Sequence, residues 1–105
     1  MNKRDVIARR ILGWKLNRWD RWFDFEKGTF IHESEFHPEQ NLEHAMLIVE
    51  RLEHLGFTYT EKEDIEVCFN NDFNKVCETG DTLAQAITNA AYALADDSSL
   101  ADAWL

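Results

Sequence analysis

Four glycines and one proline stand where the spacing of apolar residues changes. They divide the chain into short elements and exclude one long helix or an unbroken sheet. Ahead of Gly13, Val6, Ile7, Ile11 and Leu12 recur at three-to-four spacing between basic residues, which predicts an amphipathic helix over 4–12. From Trp14 to Ile31 apolar and polar residues alternate on either side of Lys27-Gly28, the pattern of a hairpin. After Pro38 a stripe of Leu42, Ala45, Met46, Val49, Leu52 and Leu55 predicts a second helix over 42–55, with Asn41 as its N-cap and Gly56 as its stop. Residues 57–60, 65–69 and 73–77 alternate as strands, the second and third turning near Asp72-Phe73. Thr82-x-x-Gln85 is a capping box, and the last helix runs from it through Leu83, Ala86, Ile87, Ala90, Ala91 and Leu94.

This order predicts an α+β fold, an antiparallel or mixed sheet sandwiched by helices in the sequence α-β-β-α-β-β(-β)-α. Residues 1–95 form one domain, and 96–105 an acidic tail expected to be poorly ordered unless Trp104 docks. Seven Phe, four Trp and two Tyr give a chain of 105 residues enough apolar surface for a single core. No apolar run has the roughly 18 residues of a membrane span, and no secretory leader is visible, so a cytoplasmic location is expected. Two cysteines are too few for a disulfide scaffold or a four-ligand zinc site. If 65–69 pairs with 76–80, Cys68 lies opposite Cys77, and the two are expected to be reduced structural thiols.

Charge is unevenly placed. Residues 1–22 hold seven bases against two acids, and the rest of the chain holds four bases against eighteen acids, within a formal net charge of −9. An acidic chain repels long nucleic acid, so a basic segment suits a small anion or an acidic partner. That segment contains Trp14, Lys15, Arg18, Trp19, Arg21 and Trp22, three indoles among three cations. Indole faces stack on nucleobases and guanidinium groups hold phosphate bidentately, so these six are the candidate ligand-binding residues. Core filling is the weightier reading of Trp14 and Trp22, because large aromatics dominate small cores; Trp19 is the exposed candidate.

Other chemistry is less well marked. His32, Glu35 and His37 are metal-ligand types without a known spacing, and a polar loop before Pro38 explains them more simply. His44 and His54, ten residues apart on one helix, lie on different faces. No Ser, Thr or Cys is marked as a nucleophile beside a base, and four scattered glycines build no phosphate loop, so neither an enzyme nor a cofactor is expected.

The chain resembles the phage ABA sandwich domain family. The resemblance rests on Gly13-Trp14 after an amphipathic helix, on Pro38 three residues before Asn41 with Ala45 and Val49 following, and on Ala86-Ile87-x-x-Ala90-Ala91-x-Ala93, over roughly residues 6 to 95. It implies a helix–sheet–helix sandwich encoded by a phage or prophage, implies no reaction, and raises accessory roles such as countering host defence. The expected function is therefore non-catalytic binding, in which the basic-aromatic segment sequesters a small nucleotide-like signal. Two alternatives are an acidic surface that imitates nucleic acid or blocks a host protein, and, less favoured, a metal-dependent enzyme on His32, Glu35 and His37. A sheet-edge homodimer is compatible with each, and no membrane contact is expected.

Overall fold

The computed structural model describes residues 3–25, 27–63 and 65–95; the tail 96–105, with Trp104, lies outside them. Three helices and two three-stranded antiparallel sheets follow in the order α1 (Lys3–Arg10), β1 (Lys15–Leu16), β2 (Arg21–Asp24), β3 (Thr29–His32), α2 (Leu42–His54), β4 (Thr58–Lys62), β5 (Glu66–Asn70), β6 (Lys75–Thr79) and α3 (Leu83–Ala95). The fold is α+β. Its strands form two separate sheets, ordered β1-β2-β3 and β4-β5-β6.

Helix α1 stops at Arg10, two residues short of the expectation, because the amides of Ile11 and Leu12 both turn back to the Ile7 carbonyl and Gly13 takes φ 71°. Ile11 and Leu12 stay buried beyond its end. The region read as one hairpin holds a third strand, β1. Its link to β2 is the four-residue stretch 17–20, in which Asp20 N–H donates to the Asn17 carbonyl (3.2 Å) and Asp20 sits at φ 59°. A tight turn followed by one left-handed residue is a standard hairpin closure, and Asp is among the few side chains that tolerate that conformation. Lys27-Gly28 makes the next turn as expected, with Gly28 N–H donating to the Asp24 carbonyl at 2.8 Å.

Helix α2 begins where Asn41 Oδ1 accepts from the amides of Glu43 and His44, and ends at Gly56. There Gly56 N–H bonds the Glu53 carbonyl and Phe57 N–H the Leu52 carbonyl, the paired bonds of a Schellman stop. Its buried face is Ala45, Ile48, Val49 and Leu52. Leu42 (46% exposed) and Met46 (37%), expected in the core, stand at its rim, and Ile48 takes the place given to Met46. The i, i+3, i+4, i+7 set that starts at Ala45 faces α3 and β4, which leaves Met46 turned about 100° away.

Helix α3 is central, touching α1, α2, β5 and β6. Its buried alanines 84, 86, 90, 91 and 95 allow that close approach. Thr82 Oγ1 caps the Gln85 amide, and the Gln85 side chain returns to the amide of Asp81, one residue before the cap. Gly80 is needed here for space, since a Cβ would lie 2.6 Å from the Ala86 nitrogen. Gly80→Ala is therefore expected to cost about 1–3 kcal/mol by forcing the start of α3 away from β6, read from urea denaturation. A stability equal to wild type would show that the junction yields freely.

In the second sheet, Val67 and Phe69 of β5 face the helices with half-buried Tyr59 and Val76. Cys68 opposes Cys77 as the register reading expected, but the two form a disulfide, correcting the expectation of free thiols. Their Cα atoms are 4.1 Å apart, the close pair in an antiparallel ladder whose side chains lean together.

Candidate functional site

The basic-aromatic segment runs through β1 and β2, and strand alternation sorts its side chains onto two faces. Leu16, Trp22 and Ile31 lie on the inner face. Trp22 is fully buried with the Arg9 guanidinium 5.2 Å from its ring, and Trp14 (5% exposed) packs 5.0 Å from Phe36. These two indoles belong to the core, so the structure removes them from the group a ligand can reach. Trp22 Nε1 is buried and has no hydrogen-bond partner among the described residues.

The outer face carries Lys15, Arg21, Phe23, Phe30 and His32. Arg21 pairs across the strands with His32, Phe23 with Phe30, and Lys15 lies beside Phe23. The Phe23 and Phe30 rings are 4.9 Å apart, and Phe25 meets Phe23 edge-on at 4.7 Å. The loop between β1 and β2 lifts Trp19 over this face. Asn17 Oδ1 accepts from the amides of Trp19 (2.9 Å) and Arg21 (3.1 Å), which holds the loop upright. Asn17, Trp19, Asp20, Arg21, Phe30 and His32 line an open groove of about 620 Å³. Trp19 is 65% exposed, and the Arg18 guanidinium lies 4.8 Å from its ring centre.

Of the six sequence candidates, Trp19 and Arg21 line the groove, Arg18 braces Trp19, Lys15 lies further along the same face, and Trp14 and Trp22 are in the core. The sequence reading missed Phe30, Asn17 and Asp20. It placed His32 among metal ligands instead. The available signal was the alternation of Arg21 with Phe23 and of Phe30 with His32, which becomes one surface only in the β2–β3 register.

His32 Nδ1 accepts the Ser34 amide (3.2 Å), with Ser34 Oγ at 2.8 Å. An amide can only donate, so the neutral ring carries its proton on Nε2 and serves as a donor there. His32, Glu35 and His37 do not assemble. His37 lines a different groove, of about 500 Å³, with Lys3, Arg4, Pro38, Glu39 and Gln40. Among the described residues no three His, Cys, Asp or Glu side chains are placed to hold a metal.

His44 Nδ1 accepts the His37 amide at 3.0 Å, and its ring lies 5.5 Å from Phe36. Burial lowers its pKa, the charge of His37 acts the same way, and Glu43 opposes both. The unfolded chain then takes up this proton first, so the contribution to stability is complete above pH 6.5 and is lost as pH falls through the lowered value. Between pH 7 and 5 the wild type is expected to lose more stability than His44→Asn, whose carbonyl can accept the same amide. Equal pH slopes in denaturant titrations would exclude His44 as the source.

An α+β domain of two antiparallel sheets, one with a cationic-aromatic solvent face, is the class that these features define. The family model described as the phage ABA sandwich domain matches residues 5–92, and the chain belongs to that family. A phage protein from Bacillus cereus ATCC 14579, known from a 2.0 Å crystal structure, is similar in fold, with a TM-score of 0.58 and 23% identity over 89% of this chain and 91% of that one. Comparison with curated proteins gives no match. No helix among the described residues is long and apolar enough to cross a membrane.

Proposed function

We propose that the chain is a non-catalytic phage binding protein whose first sheet captures a small nucleotide-like anion, and that this capture withdraws a host immune signal. The carrying observation is the convergence on one groove of Trp19 and Arg21, from the basic first 22 residues, with Phe30 and His32. An exposed indole beside a guanidinium offers base stacking and phosphate recognition together, and Nε2–H of His32 adds a second donor. Asp20, also at the groove, supplies an acceptor for sugar hydroxyls or exocyclic amines. The eighteen acids beyond residue 22 favour a short ligand over a long polyanion.

A thermal-shift screen with mononucleotides, cyclic nucleotides and divalent metals tests this, because a ligand that binds only the folded state raises the melting temperature by mass action. Nucleotide hits support the proposal, and metal hits without them oppose it. A second reading, an acidic surface occupying a host protein, is favoured by α2, where exposed Leu42 and Met46 stand among Glu43 and Glu50. Silence across the screen would favour that surface.

A further inference from the structure

The groove places a guanidinium and an imidazole donor between two aromatic platforms. At one end stands Trp19, 65% exposed, lining the groove with the Arg18 guanidinium against its ring. In the middle the cross-strand pair Arg21 and His32 presents a guanidinium and an Nε2–H. At the other end Phe30 is 57% exposed and rests against Phe23, itself propped by Phe25. Arg21 and Phe23 are two residues apart on β2, as His32 and Phe30 are on β3, so the Arg21–His32 pair and the phenyl pair are separated by roughly 6.6–6.8 Å of strand. One sugar spans a comparable distance between a phosphate and the base it carries. A mononucleotide engages Arg21, His32 and one platform, leaving the other aromatic surface in water. Exposed aromatic surface on both sides of one anion-binding pair matches a ligand with a ring on each side of its phosphate.

Resting on the nucleotide-binding reading, we infer that the groove takes a dinucleotide, two bases joined through one phosphodiester, with one base stacked on Trp19 and the other on Phe30. The phosphodiester lies over Arg21 and His32. Recognition depends on the second stacked ring more than on the number of negative charges.

Calorimetry on the full chain with adenylyl-adenosine (one phosphodiester, two bases) and adenosine monophosphate (more charge, one base) separates the two contributions. Adenylyl-adenosine is expected to bind roughly 5- to 150-fold more tightly despite its smaller charge, the range that stacking one base on an aromatic side chain supplies. Trp19→Leu and Phe30→Leu, both at exposed positions, are each expected to bring it down to the level of the mononucleotide without moving the melting temperature. Equal or weaker binding of adenylyl-adenosine overturns the dinucleotide assignment while leaving the nucleotide site in place, and so does a Phe30→Leu variant that retains full affinity. Binding of neither compound overturns the nucleotide site as well. Tighter binding of decaadenylate per occupied site overturns it in favour of an extended single strand.

Discussion

Val49→Asp is expected to destabilise the chain by about 3–5 kcal/mol, whereas the adjacent Glu50→Ala stays within about half a kcal/mol. Val49 is buried on the face of α2 that meets α3, beside Ala45, Ile48 and Leu52. An aspartate there loses the packing of the isopropyl group and carries a carboxylate into an apolar cluster, where it must ionise unpaired or shift its pKa far upward. Glu50 is exposed on the opposite side of the helix. Urea denaturation at pH 7 measures both. Equal midpoints would mean that α2 does not bury this face and that the arrangement around α3 is wrong.

The second large effect concerns the disulfide. Cys68 and Cys77 are separated by nine positions, and releasing a loop of that size restores unfolded-chain entropy equivalent to roughly 2–3 kcal/mol. Cys68→Ser combined with Cys77→Ser is therefore expected to lower the melting temperature by about 10 °C or more, and dithiothreitol to do nearly the same to the wild type. The bond joins β5 and β6 of the second sheet, which contributes no residue to the groove, so ligand binding should persist in the double variant. Disulfides are rare in reducing compartments, and thiol trapping immediately on lysis shows whether the pair is oxidised where the protein is made. A melting temperature unmoved by reductant would contradict a stabilising bond.

Local chemistry was legible wherever one residue's side chain decides the backbone. Asn41, Gly56 and the Thr82–Gln85 pair placed helix ends because their hydrogen bonds close within a few residues. The loop after β1 escaped notice because Asp20, with no glycine to mark it, takes the left-handed position. Met46 and Ile48 illustrate a different gap. Both are apolar and both lie near the stripe, and only the position of α3 and β4 decides which is covered. Spacing gave the opposition of Cys68 and Cys77, while a count of two cysteines argued only against a scaffold and carried no information on a single cross-strand bond.

The site shows the same division. Residue chemistry singled out Trp19, Arg18 and Arg21, but their neighbours Phe30 and His32 come from another strand, and membership of one face is a property of register. Trp14 and Trp22 are chemically identical to Trp19 and differ only in where the chain turns. The cations concentrated in the first 22 residues remain the feature that sequence alone made plain.

Calorimetry on Arg18→Ala combined with Arg21→Ala checks the claim that this outer face binds a small nucleotide-like anion. Arg21 lines the groove and Arg18 braces the indole, and both side chains are exposed, so folding should be preserved. Affinity for a nucleotide that the wild type binds is expected to fall at least about tenfold, roughly 1.4 kcal/mol, with circular dichroism and melting temperature nearly unchanged. Undiminished affinity in the double variant, or a wild type that binds no nucleotide, would contradict the claim.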